Sequence, residues 1–416
     1  MVRSNLSVEF CGFLCENPFL LAASPAARTG EMIERAFEAG WGGAITKSVS
    51  LDQDLPDHSL SPRFAGIKSG GSQLQSMHGI IGMTNIDFRI DKSVRDTLEE
   101  YALVKKKYPN KFLGVSIKAE YKKEQWYKLA TMAAETGADA LELCLSCPDA
   151  GGAEGCSVGA IGQNTGATSE VLTWVKEVTN LPVIVKLSPH ITDITAVGKA
   201  AANSGAAALA AINTVKSISG YNLDTLEPIP TIEGMSTSAG LSGPAIKPLA
   251  MYCIYELRKD KFINLQLSAI GGVTCSQDAI EYILTGATTV QVATQVMHEG
   301  YGLIRDLKEG LERFMTLHGF EFVNQFVGIG TKKIVSSTKG LSRKQQLVSN
   351  IDPERCIGCG RCFVACRDGA YSAISFLKNR QVKVDINKCV GCGLCSVVCP
   401  VTKSIFFTSN PQKWRD

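Results

Sequence analysis

Cysteine is the residue type in this chain best suited to chemistry, and the 15 copies fall into two kinds of use. Eight lie between Cys356 and Cys399, in two runs: Cys356-Ile-Gly-Cys359-Gly-Arg-Cys362-Phe-Val-Ala-Cys366 and Cys389-Val-Gly-Cys392-Gly-Leu-Cys395-Ser-Val-Val-Cys399. The runs are offset by 33 residues, and each is C-x2-C-x2-C-x3-C, the spacing by which thiolates hold iron–sulfur cubes. Three close cysteines wrap one cluster, and the fourth reaches the other. The expected ligand sets are Cys356, Cys359, Cys362 and Cys399 for one 4Fe–4S cluster, and Cys389, Cys392, Cys395 and Cys366 for the second. Neither zinc nor disulfides calls for a duplicated four-cysteine run. Pro400 follows the second run, whereas Arg367-Asp368 follows the first, which alters a turn and not the ligand count. A second use is suggested by Leu141-Glu142-Leu143-Cys144-Leu145-Ser146-Cys147-Pro148. The apolar run reads as a buried strand that stops at Pro148 and leads into Gly151, Gly152 and Gly155. A thiol at the end of a rigid element, under a flexible cover, suits a proton donor or nucleophile. Taken alone, a buried structural cysteine accounts for the stretch as well.

These residues need a scaffold, and the hydrophobic pattern describes one. Apolar or β-branched runs occur at Phe19–Ala23, Gly43–Lys47, Phe112–Ile117, Ala140–Leu145, Pro182–Leu187, Ala207–Ile212, Leu265–Ile270 and Thr289–Ala293. Helical spacing fills the intervals at Glu31–Ala39, Ser93–Lys107, Lys122–Thr136, Ser169–Thr179, Ile194–Ser204, Ala245–Arg258, Ser276–Thr285 and Gly302–His318. Eight strand–helix units predict an α/β fold, a (β/α)8 TIM barrel. The open doubly wound alternative expects a G-x-G-x-x-G turn after the first strand, and the chain has none. The barrel is placed at 1–320, a basic, Ser-rich linker at 321–348, and a small α+β, bacterial-type two-cluster ferredoxin domain at 349–416. Two connections, Ser48–Ile90 and Val215–Gly243, are too long for tight loops; both follow strand C-termini and read as lids or walls of a catalytic face.

Composition narrows the function. With 43 Lys and Arg against 40 Asp and Glu the chain carries +3, which offers no electrostatic case for nucleic acid. Apolar runs are strand-sized, so no membrane span is expected. No apolar signal core follows Met1, and clustered thiols suit a reducing compartment, so a cytoplasmic location is expected.

At the strand ends stand Ala22-Ala23, Lys47-Ser48, Ser146-Cys147, Lys186, Asn213-Thr214, Gly271-Gly272 and Ala293-Thr294. Two lysines on buried strands need anionic or polar company. A flavin mononucleotide (FMN) supplies it: its phosphate suits backbone N–H groups after Gly271-Gly272 and at the start of the last helix. Lys186 would then stabilise negative charge on the reduced ring. Clusters carry single electrons and flavin collects two. With no dinucleotide motif, the electrons are expected from another chain or from free ferredoxin.

Asn17-Pro18-Phe19, Arg35 to Gly42, Thr46-Lys47, Ala138 to Leu143, Ser146-Cys147-Pro148, Asn213-Thr214-Val215, Ser242-Gly243 and Gly271-Gly272 together resemble the dihydropyrimidine dehydrogenase family, in its bacterial FMN and iron–sulfur subunit form, over nearly the whole chain. The barrel also resembles dihydroorotate dehydrogenase. The first resemblance implies hydride transfer from FMN to C6 of uracil or thymine, with Cys147 protonating C5. It implies FMN contacts from Ala22, Ala23, Lys47, Ser48, Lys186, Gly243, Gly271, Gly272, Ala293 and Thr294. It implies substrate contacts from Asn85, Cys144, Ser146, Asn213 and Thr214, and a hetero-oligomer with a separate FAD- and NAD(P)H-binding subunit, or ferredoxin as donor. Where the family reads Asn-x-Ser-Cys-Pro-His, this chain reads Cys144-Leu145-Ser146-Cys147-Pro148-Asp149, and Asn-Ile-Glu has become Asn85-Ile86-Asp87. A related cyclic amide or imide therefore stands beside uracil as substrate, and dihydroorotate dehydrogenase activity or a non-catalytic electron-transfer subunit are the other readings. A lid is expected from Ala65 to Gly71 together with the Cys147 loop.

Overall fold

The computed structural model describes residues 4–51, 63–68, 79–86, 92–145, 158–342 and 347–409. They form two compact units, Met1–Ile334 and Val335–Asp416. Eight parallel strands close the first into a barrel: β1 Phe19–Leu21, β2 Gly43–Ile45, β3 Phe112–Ile117, β4 Ala140–Cys144, β5 Val183–Lys186, β6 Ala208–Ala211, β7 Gln266–Ile270 and β8 Thr289–Val292. Neighbours in sequence are neighbours in the sheet, and β8 pairs with β1 to close it. Strands β1 to β6 and β8 are buried along their whole lengths, as a parallel sheet covered by helices requires. Side-chain caps start the helices: Thr29 accepts from the Met32 N–H, Ser93 from Asp96 and Asn164 from Ala167. Gly40 and Gly319, both left-handed, end two of them.

Three features depart from the sequence expectation. A hairpin, Val8–Phe10 with Phe13–Cys15, sits against the starts of β3 and β7. Phe10 and Phe13 pack edge-on against Phe112 at 5.5 and 5.8 Å, and Gln266 bonds Cys11 N and Glu9 O. Second, the first unit runs beyond the expected boundary at 320, because Val323 and Phe326 are wholly buried in the barrel core.

Third, the two long connections contain strands of one sheet. Its order is Val215–Ser217, Ala239–Ser242, Ile80–Ile86, Arg63–Lys68, all antiparallel. Residues 65–68 of the expected lid are thus an edge strand, held by ladder bonds to Ile80–Ile86; residues 69–71 lie outside the described residues. Gly240 opposes Asn85, and a Cβ on Gly240 would lie 2.4 Å from Thr214 Oγ1, so only glycine lets this sheet approach the end of β6.

In the second unit, Leu347–Ile351 pairs with Ile405–Ser409, and Ile374–Phe376 pairs with Val382–Val384. The helices Arg361–Gly369 and Leu394–Val397 start at equivalent points of the two cysteine runs, each behind a left-handed glycine, Gly360 or Gly393. Its core is Val348, Ala373, Ile374 and Ile405 with Cys362, Cys366, Cys389 and Cys395. A core built half from cysteine is small for an apolar one, and a bound metal group would complete it.

Candidate active site

The C-terminal ends of β1, β5, β6, β7 and β8 surround a cleft of about 560 Å3, open solvent included. Eight positions expected to contact a flavin line it: Ala22, Ala23, Lys186, Gly243, Gly271, Gly272, Ala293 and Thr294. So do Asn213 and Thr214. Lys47 and Ser48 stand beyond its lining, at the end of β2, where the Lys47 N–H donates to Ala27 O and Ser48 Oγ lies 2.8 Å from Ser116 Oγ. Asn85 also lies off the lining, on the insertion sheet. That sheet reaches the cleft through Ser242, which donates to Met83 O at 3.2 Å and accepts from Thr294 Oγ1 at 2.9 Å. Ser146 and Cys147 lie outside the described residues; Cys144 ends β4, directly opposite Lys186 in the ladder.

The glycine walls have a steric origin. Gly271 and Gly272 take φ of +134° and +68°. A Cβ on Gly272 would meet Lys247 Cβ at 2.7 Å and Gly243 O at 2.9 Å. Behind the turn, Tyr282 donates to Gly271 O at 2.6 Å, and Asp278 accepts from Thr274 N and Oγ1 at 2.8 and 2.6 Å. The helix that begins at this cleft is the short Thr294–Glu299, not the long Leu303–His318 to which the phosphate was expected to point.

The barrel interior beneath is polar. Glu142 is 0% exposed and Lys186 5%. Their charged groups lie 3.8 Å apart, and Ser116 Oγ donates to the same Glu142 oxygen at 3.1 Å. A buried cation needs such a counter-charge. Gln291, on β8, donates to Ser268 Oγ at 2.9 Å. Among the described residues only Glu142 Oε2 and Gln291 Oε1 are buried side-chain N or O atoms without a hydrogen-bond partner. Gln291 also lines the cleft, so its free acceptor calls for a donor on whatever binds there. Sequence reasoning missed Glu142 and Gln291; a polar residue inside an otherwise buried β-run was the available signal.

In the second unit Cys366, Cys389, Cys392 and Cys395 line one cavity. The fourth cysteine of the first run thus stands with the first three of the second. Gly358 and Gly391, between the first two cysteines of each run, are left-handed, and a Cβ would meet Arg380 O at 2.8 Å or Leu347 O at 2.6 Å. Burial pushes the Cys362 thiol up to about 11; iron offsets that cost by supplying positive charge to the thiolate. Among the described residues no three Cys, His, Asp or Glu side chains close around a single ion. A cube is held at its corners, so its thiolates stand wider than those around one ion.

Residues 5–315 match the family model for dihydroorotate dehydrogenase, and residues 349–407 match that for a 4Fe–4S dicluster domain. The chain belongs to the dihydroorotate dehydrogenase family. The NAD-dependent dihydropyrimidine dehydrogenase subunit PreA of Escherichia coli (strain K12) is 35% identical over 90% of this chain and 89% of that protein. The chloroplastic dihydropyrimidine dehydrogenase (NADP(+)) of Arabidopsis thaliana is 36% identical over 84% of this chain and 83% of that protein. The catalytic subunit of dihydroorotate dehydrogenase B (NAD(+)) of Thermococcus kodakarensis is 33% identical over 79% of this chain and 99% of its own length. A crystal structure of DHODH from Eimeria tenella in complex with ferulenol superposes with a TM-score of 0.62 at 20% identity, covering 78% of this chain and 88% of that one; this likeness concerns the fold.

This family member is an oxidoreductase acting on CH–CH bonds, with FMN and 4Fe–4S clusters as its cofactors. The cleft fits FMN: it has a buried cation, an unpartnered acceptor and a glycine turn, Gly271-Gly272, whose backbone lines the cleft. Gly272→Ala is expected to weaken FMN binding at least tenfold in a fluorescence titration, with the far-ultraviolet circular dichroism of the barrel retained. The added Cβ costs about 1–2 kcal/mol in backbone strain alone and displaces the turn by its collision with Lys247 Cβ and Gly243 O. Unchanged FMN affinity would remove Gly272 from the site. Among the described residues no helix is long and apolar enough to cross a membrane.

Proposed function

We propose that this chain reduces the C5=C6 bond of uracil, thymine or a closely related cyclic amide, as the iron–sulfur subunit of a hetero-oligomeric, cytoplasmic dihydropyrimidine dehydrogenase. One observation carries the reading: eight expected flavin positions and both Asn213 and Thr214 line a single cleft, at the strand ends next to which the Cys147 segment begins. The range of the relatives supports it. The dihydropyrimidine dehydrogenase subunit matches 90% of the chain, whereas the dihydroorotate dehydrogenase B subunit is used up by 79% of it. When bound, FMN supplies the hydride taken up at C6, and the clusters relay its electrons from a separate FAD- and NAD(P)H-binding subunit or a ferredoxin.

The chain's own residues bind, orient and protonate. Cys147 gives its Sγ proton to C5, the general-acid role that a thiol just past a strand end suits. It stands three positions after Cys144, a reach of at most about 11 Å. Asn213 accepts from its own Thr214 N–H at 2.8 Å, which fixes the amide and leaves Nδ2 directed at Cys144 Sγ, 3.7 Å away. Thr214 and Asn213 then face the substrate's amide edge, with Asn85 and Ser146 contributing from the insertion sheet and the Cys147 loop. Lys47 and Ser48 serve the flavin from the β2 side. The first unit is the flavin barrel, and the ferredoxin-like unit follows the connector.

A second substrate reading rests on the Cys144–Asn213 contact. A thiol accepts weakly where an amide would both donate and accept. Losing such a contact costs roughly 1–3 kcal/mol, so a ring with a different polar edge, such as a hydantoin, gains relative to uracil. Anaerobic photoreduction followed by a screen of pyrimidines, hydantoins and orotate tests both. Reoxidation by uracil or thymine is expected. Reoxidation by orotate and no other ring would overturn the proposal in favour of dihydroorotate.

A further inference from the structure

Ser349 lies in the strand Leu347–Ile351 and is 2% exposed. Its backbone N–H donates to Cys389 Sγ at 3.4 Å, and its hydroxyl oxygen lies 3.3 Å from Cys395 Sγ. The Ala373 N–H donates to Cys366 Sγ at 3.3 Å. Donors from outside the cysteine runs therefore reach three of the four cysteines around one cavity. A thiolate bound to iron carries no proton, so the Ser349 hydroxyl must be the donor in its contact. Among the described residues that hydroxyl makes no other hydrogen bond.

The surroundings of the two cysteine sets differ. In the second set Cys366, Cys389 and Cys395 are buried and Cys392 alone is exposed, whereas in the first set only Cys362 is buried, Cys356 and Cys399 being half-exposed and Cys359 exposed. Reduction adds one electron to a cluster and spreads negative charge onto its sulfurs. Water stabilises that charge at an exposed cluster. A buried one is penalised for it unless the protein supplies donors, and inside the core each donor counts for more.

We propose that Ser349 sets the reduction potential of the cluster held by Cys366, Cys389, Cys392 and Cys395, raising it by donating hydrogen bonds to two of its sulfurs. The buried cluster thereby stays reducible at the working potential of the relay. This rests on the reading that these four cysteines hold one cluster.

The test is a dithionite titration of the full-length protein, followed by electron paramagnetic resonance, on the wild type, S349T and S349V. Threonine and valine have the same shape and differ in the hydroxyl. S349V is expected to cut the reduced-to-oxidised ratio of one cluster about tenfold at the wild-type midpoint, about 60 mV for one electron. The other cluster should not move, and S349T should titrate like the wild type. Equal potentials in S349V and S349T, with iron and sulfide complete in both, would overturn the proposal. Wild-type protein holding fewer than two cubes' worth of iron would instead defeat the ligand reading. If the β-branched side chains cost the cluster, the deuterium-exchangeable proton coupling to the reduced wild-type centre decides. It is expected to weaken in S349A, and an unchanged coupling there also overturns the proposal.

Discussion

Cys147→Ala is expected to reduce turnover by 100-fold or more while FMN, iron and sulfide stay bound. A positioned general acid contributes about 10²–10⁴ in rate, and alanine has no proton to give. Carbon C5 would then have to take its proton from water, with no group holding it in line. Steady-state rates with uracil, beside the visible spectrum of the same sample, check this. The fall should lie in kcat, because the thiol acts on the reacting carbon and contributes little to holding the ring. Cys147→Ser should recover little, since a serine hydroxyl is a far weaker acid than a thiol. Full activity in Cys147→Ala would favour the electron-transfer reading, in which the barrel docks a partner and performs no chemistry.

Cys392→Ser should remove one cluster and with it the path of electrons to the flavin. Cys392 is exposed and lines the cavity together with Cys366, Cys389 and Cys395. It adds little to the apolar core, so the second unit loses a ligand before it loses packing. Iron and sulfide should fall by about half, and flavin reduction by a one-electron protein donor should slow by at least tenfold. Photoreduction of the flavin, which bypasses the clusters, should proceed as in the wild type. Retention of all the iron would refute the assignment of Cys392. Retained iron loss with undiminished donor-driven flavin reduction would show that electrons enter the barrel by another route.

The barrel was legible because its signal is local. A parallel strand buried on both faces is a short apolar run, and each of the eight observed strands lies inside the run expected for it. The insertion sheet left no such signal. The strand Ile80–Ile86 contains Gly82, Thr84 and Asn85. It becomes a strand because Ala239–Ser242, far along the chain, presents a backbone edge to it. The hairpin plug was missed for a similar reason, since Val8–Phe10 and Phe13–Cys15 are three residues each and depend on Gln266 and Phe112.

What the amino-acid order determined by itself is the chemistry carried by spacing: two cysteine runs with glycines at the turns, a thiol just past a buried strand, and the eightfold strand–helix alternation. These depend on neighbours a few residues apart, where backbone geometry is the same in any fold. Tertiary structure decided what shares a space. It brought Ser349 to two sulfurs of the second run and set Glu142 against Lys186 in the barrel interior. It also left Lys47, Ser48 and Asn85 outside the cleft lining. Those outcomes follow from how strands register and close around a core, and no local pattern encodes that.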